Sequence, residues 1–182
     1  VTFSSDLVFD GSLGRSYVEP DTPAPACEYG RSKAESEARL MALDGDALIV
    51  RTSAFFGPWD RHNFLFNTVE RLKRGEEVFA SEKTIVSPTY VPDLVLAALD
   101  LLLDEETGIW HLTNQGAISW HDLARSVADR ARLDLGRIRA PEEDAPADTS
   151  LTSRRGLLLR PLDHAIDDFI AFSEPMKQLE SV

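Results

Sequence analysis

The 182-residue sequence predicts an α/β fold built on a parallel sheet, and two observations carry the prediction. Ala47-Leu48-Ile49-Val50 is a continuous apolar run, the pattern of a strand covered on both faces. It also follows a helical stretch from about Glu28 to Leu43, which itself follows a short apolar strand at Val1 to Ser5, so strand, helix and strand succeed one another.

Each element has a local reason. After the first strand, Leu7-Val8-Phe9 leads into an Asp10-Gly11 turn, and residues 11 to 26 are rich in Gly, Pro, Ser and Asp, a loop able to cover a site. In the first helix Ala34, Ala38 and Met41 are available for a core face and Lys33, Glu35, Glu37 and Arg39 for polar ones, with Asp44-Gly45-Asp46 as the stop. Arg51 to Pro58 leaves the second strand through polar and aromatic residues into a Gly-Pro break. A second helix is expected from Asn63 to Arg74, and a short strand at Val78 to Ala80. Ser87 to Asp93 turns into a third helix, Leu94 to Leu103, whose near-continuous apolar sequence predicts deep burial. Gly108 to Thr113 reads as a strand. Ser119, with Asp122 three residues on, caps a helix reaching about Arg132. Residues 140 to 149 are acidic, proline-rich and without period, a linker separating 1–139 from 140–182. A last helix should run from Pro161 to about Phe172, with the final ten residues frayed.

Composition bounds the function. Hydrophobic content of 43%, with three Trp and nine Phe, supports a packed core, and no apolar run reaches the ~18 residues of a membrane span. Nothing resembles a secretion signal. A net charge of −12 argues against nucleic acid as a partner, because phosphates need clustered cations. The single Cys27 excludes an internal disulfide and suits a reducing cytoplasm; it is expected to be a small buried hydrophobe. His62, His111, His121 and His164 show no metal-ligand spacing and are assigned no role. Val1 is not an initiator Met and begins a strand already under way, so the chain reads as a fragment of a longer protein.

Tyr29 and Lys33 stand four apart on the first helix and share a face, where an ammonium favours ionisation of a phenol whose ordinary pKa is about 10. Such a phenol can hand a proton to a carbonyl oxygen near neutral pH. The spacing alone is a weak signal. Ser5 and Asp6 sit at a strand end, where open α/β sheets place ligand chemistry or where Ser and Asp merely cap the strand. Arg154-Arg155 is either a clamp for a nucleotide diphosphate or a solvated surface.

Together these features resemble the extended short-chain dehydrogenase/reductase family, and within it the sugar-nucleotide-binding group like dTDP-4-dehydrorhamnose reductase. Ser4-Ser5-Asp6-Leu7-Val8-Phe9-Asp10-Gly11 is similar to that group's S-T-D-x-V-F-D-G, and Tyr29-Gly30-Arg31-Ser32-Lys33 to its Y-G-x-x-K. Leu48 to Ser53, Asn63-Phe64 and Pro88-Thr89-Tyr90 are further matches. The resemblance implies the C-terminal part of a Rossmann-like parallel sheet with a small substrate-binding lobe. It implies a reductase of a nucleotide-linked 4-keto-deoxysugar using NADP or NAD, with Ser5, Tyr29 and Lys33 catalytic. Tyr29, Lys33, Ser53 and Phe55 would bind the cofactor, and Asp6, Phe56, Asn63, Thr89 and Arg154 the nucleotide sugar.

Four departures accompany the match. The glycine fingerprint G-x-x-G-x-x-G, which precedes this region in the family, is absent from the chain, so the isolated chain is expected to lack dehydrogenase activity. Ala54 stands where the dedicated reductases carry an aromatic. Lys83 to Thr89 and Leu151 to Leu159 replace their D-Q-x-G-x-P-T and R-P-x-N-S. A half sheet also predicts an exposed edge and self-association. The rival reading is a non-catalytic module that keeps the fold to bind nucleotide sugars or regulate a partner.

Overall fold

A computed structural model describes residues 1–43 and 45–179. Asp44, part of the expected helix stop, and residues 180–182 of the expected frayed end lie outside the described residues. The centre is a three-stranded, wholly parallel sheet of β1 (Thr2–Ser5), β2 (Leu48–Thr52) and β7 (Gly108–His111), in the order β1-β2-β7. β2 pairs with both neighbours, and all five of its residues are buried, as its unbroken apolar run requires.

Alternation along β2 divides the two faces. Leu48 and Val50 join Trp110 of β7 against Leu94, Ala97, Ala98 and Leu101 of α3 (Val91–Leu103). Arg51 points the other way, toward α1 (Glu28–Leu43). β1 forms one end of this sheet, and Val1 and Phe3 are exposed there.

The remaining elements form a lobe beside the sheet. They are β3 (Phe55–Phe56), α2 (Phe64–Lys73), β4 (Val78–Phe79), β5 (Thr84–Val86), β6 (Thr89–Tyr90), β8 (Ile118–Ser119), α4 (Trp120–Arg130), β9 (Ile138–Arg139), β10 (Ala147–Asp148) and α5 (Leu162–Leu179). Its core packs Phe56, Leu65, Val69, Tyr90, Leu123, Val127, Ile166 and Phe169 together. The short strands pair as β3-β6, β4-β9 and β10-β5-β8. Ser119 caps α4 by accepting from the Asp122 amide, as its sequence predicts.

Four expectations are corrected. α1 buries Gly30 and Glu37 rather than Ala38 and Met41, which are exposed, because the sheet presents it a buried guanidinium that needs a carboxylate. α3 is buried on one side only: Val95, Leu96, Leu99, Leu102 and Leu103 are exposed. The expected linker contains β10, which pairs in parallel with β5 and ties residues 147–148 into a sheet. Cys27 is exposed, and its Sγ accepts from the Gly30 amide at the start of α1.

The loop at 11–26 is anchored rather than loose. Tyr17 bridges Leu151 and stacks on Phe9 at a ring separation of 4.0 Å. Within it the Arg15 guanidinium holds the Asp21 carboxyl down to about 2.

Candidate functional site

The carboxyl ends of β1 and β2 carry the polar groups. β1 ends at Ser5, whose hydroxyl oxygen accepts from the Leu7 amide at 3.1 Å and so caps a 3-10 turn at Asp6–Val8. The same hydroxyl donates to Asp6 Oδ1 at 3.0 Å. Asp6 is a hub: its other oxygen accepts from Ser53 and from Thr149, each at 2.8 Å. Burial pushes the Asp6 carboxyl above its ordinary range, and the Ser53, Thr149 and Ser5 hydroxyls only partly offset that. Thr89 is fully buried and shares a hydrogen bond with Thr52 at 3.2 Å.

α1 packs across this end of the sheet. Gly30 faces the backbone of the 3-10 turn so closely that a Cβ would overlap the Leu7 carbonyl oxygen. One residue away, Tyr29 is 53% exposed. Lys33 Nζ lies 5.7 Å from the centre of the Tyr29 ring and donates to the Phe3 carbonyl at 3.1 Å. The helix therefore presents phenol and ammonium together, as the four-residue spacing predicts, with the ammonium tied to β1.

The other expected site residues are distributed differently. Ser53 is buried with its hydroxyl turned to Asp6. Phe55 is 49% exposed, next to Ala54, whose φ of +40° lies in the left-handed region. Phe56 is 0% exposed and sits inside the lobe core against Tyr90 and Phe169. Asn63 caps α2, accepting from the Phe66 amide and donating to the Gly57 carbonyl at 2.9 Å. Arg154 is exposed, and its amide donates to Glu19. Its neighbour Arg155 lies 4.1 Å over the Trp110 ring and pairs with Glu106. The structure thus joins Ser5, Asp6 and Ser53 in one cluster and Tyr29 with Lys33 in another, and it sets Phe56, Asn63 and Arg154 in separate surroundings.

Beneath the site lies a buried ionic network that the sequence reading left unassigned. Arg51 grips Glu37 with two hydrogen bonds of 2.9 and 2.6 Å, and the residues are 1% and 4% exposed. Its third nitrogen reaches the Glu19 carbonyl and His111 Nε2, each at 3.4 Å. His111 Nδ1 faces the Thr152 carbonyl at 3.0 Å; a carbonyl only accepts, so Nδ1 carries the proton and Nε2 accepts from Arg51. Glu19 binds the His111 amide and the Ser153 hydroxyl. Burial pushes Glu19 up, but Ser153 and the Arg154 amide outweigh it and hold the group low. A sequence signal for Glu37 existed, because it follows Lys33 by four and so shares its face.

Burial, and secondarily Arg51, depress the His111 pKa below its ordinary 6.5. The unfolded chain then binds a proton that the folded one refuses, so stability falls as pH drops below about 6.5. Melting temperatures between pH 7.5 and 5 should fall more steeply for the wild type than for His111→Gln, and equal slopes would refute the assignment.

Residues 1–159 match the family model described as the RmlD substrate binding domain. The chain belongs to this family. Among its relatives, a dTDP-4-dehydrorhamnose reductase of Aggregatibacter actinomycetemcomitans is 36% identical over 135 residues, covering 70% of this chain and 45% of the relative. A dTDP-4-keto-6-deoxy-D-glucose reductase of Streptomyces niveus is 34% identical over 161 residues, covering 87% of this chain and 55% of the relative. The crystal structure of a dTDP-4-dehydrorhamnose reductase from Bacillus anthracis in complex with NADP superposes with a TM-score of 0.83 at 27% identity, covering 93% of this chain and 64% of that one. The fold of this RmlD-family chain is thus Rossmann-like, and the chain spans about half the length of the curated relatives it matches. Among the described residues no helix is long and apolar enough to cross a membrane, and no acidic, His or Cys cluster could hold a metal.

Proposed function

We propose that the whole protein to which this chain corresponds reduces the 4-keto group of a nucleotide-linked deoxysugar with NADPH or NADH in the cytoplasm. The observation that carries the reading is the α1 pair, an exposed phenol and its ammonium, on a helix seated against the strand end that bears Ser5. The chemistry of these residues fits a nicotinamide ribose: one of the three Lys33 hydrogens goes to the Phe3 carbonyl, leaving two for ribose hydroxyls. Phe55 offers a half-exposed ring nearby in sequence to the buried Ser53.

A bound reduced nicotinamide supplies the hydride. Tyr29 gives its phenolic proton to the sugar oxygen, and Lys33 stabilises the phenolate left behind. Ser5 stabilises the developing oxyanion by turning its single proton from Asp6 to the substrate. Asp6 keeps two hydroxyl donors during that turn, so its carboxylate is not left without partners.

Tyr29→Phe in the whole protein tests this. Ketosugar-dependent NAD(P)H oxidation should fall by a factor of about 10² to 10⁴, with cofactor affinity nearly unchanged. Unchanged turnover overturns the reading. Tight nucleotide-sugar binding by the wild type with no turnover on any ketosugar would instead favour a non-catalytic binding module.

A further inference from the structure

The aim of Tyr29 depends on what fixes the rotation and height of α1. A helix is free to roll and slide unless at least two contacts along it are specific. Over most of α1 the surface is exposed; only Gly30 and Glu37 are buried. These lie about two turns apart on one face, and Lys33 lies between them. The Gly30 contact sets how closely the first turn approaches the Leu7 carbonyl, but a hydrogen atom on a flat backbone has no direction of its own. Glu37 supplies direction. Its two oxygens meet a planar guanidinium in a two-pronged pair, which has one favoured angle and one favoured distance.

The guanidinium is itself held on several sides. It projects from the central strand, stacks 5.0 Å over Phe9, and spends its remaining nitrogen on the Glu19 carbonyl and His111. It therefore reports the position of β2, β7 and the 11–26 loop to α1 through one carboxylate.

We propose that the Glu37–Arg51 pair is a positioning clasp for the Tyr29–Lys33 helix, acting on the reaction through the aim of the phenol rather than through contact with substrate. This rests on the reductase reading above. A purely structural pair would act only on stability. A clasp acts on the geometry of a protein that remains folded.

The separating variant is Glu37→Leu with Arg51→Met in the whole protein. It fills the same space with apolar groups and removes both charges of the pair, so it should stay folded while α1 keeps only the hydrogen bond from Lys33 to the Phe3 carbonyl as a directional tie to the sheet. The expected result is a melting temperature near the wild-type value and a kcat on the order of 10- to 100-fold lower, with KM for the sugar nucleotide within about threefold. Amide hydrogen exchange over residues 29–33 should also accelerate. A kcat within about twofold of wild type overturns the clasp.

If the double variant does not fold, Arg51→Lys takes its place. That change keeps the charge and loses the fork, and it should lower kcat and speed exchange in the same direction; no change in either overturns the proposal. If the wild-type protein turns over no ketosugar, the reductase reading fails by itself. The exchange measurement then still decides the clasp, and unchanged protection at 29–33 overturns it.

Discussion

Gly30→Ala should unseat α1 and remove both stability and turnover. The added methyl would overlap the Leu7 carbonyl oxygen and crowd Pro25 Cβ, which lies 3.0 Å from the same point. Neither neighbour is the free end of a flexible side chain: one is backbone in a capped 3-10 turn, the other a ring. In an open helix the same change would help by about 1 kcal/mol, since alanine is the better helix former. Here overpacking opposes that gain at a cost of about 1 to 3 kcal/mol or more, so a net loss is expected in chemical denaturation. Relief requires α1 to move away from the turn that carries Ser5, so turnover should fall further than stability. Stability at or above wild type would show that the contact is slack.

Arg51→Ala should be the most destabilising single change in the sheet, by about 3 to 5 kcal/mol, because it leaves the Glu37 carboxylate buried without its counter-charge. His111 and the Glu19 carbonyl lose a donor as well. Guanidinium denaturation of the whole protein is the direct measurement. The double change Glu37→Leu with Arg51→Met should recover most of the loss, because the isolated charge and not the missing attraction carries the cost. A single variant within 1 kcal/mol of wild type would mean that water reaches Glu37 and that the pair is not truly enclosed.

The parts of the fold that were legible in the sequence are those whose pattern is local. α1 runs over the expected Glu28 to Leu43, β2 reads from its apolar run, and Ser119 announces α4 by its cap. Strands of two or three residues, such as β3, β8 and β9, are too short to show an alternation, and β10 hides inside an acidic stretch that looks like a linker. The buried side of α1 was misassigned for a different reason. Hydrophobic periodicity assumes that the core is apolar, whereas here the strand offers an arginine and the helix answers with Glu37. In the site, the neighbouring of Tyr29 and Lys33 was readable because residues four apart share a helix face. Thr149 was not, because nothing local distinguishes a threonine that will reach a carboxylate far away in sequence.

That reach has a consequence for how the molecule is made. The Asp6 carboxylate and the Thr149 hydroxyl are 143 positions apart in sequence. During synthesis, at roughly 5–20 residues per second, β1 and α1 are available long before their last polar partner leaves the ribosome. Until then Asp6 has only its neighbours Ser5 and, later, Ser53 to satisfy it. The hub can therefore close only after residue 149 has emerged, and a nascent chain halted before that point holds a strand end whose Asp6 is still open to water.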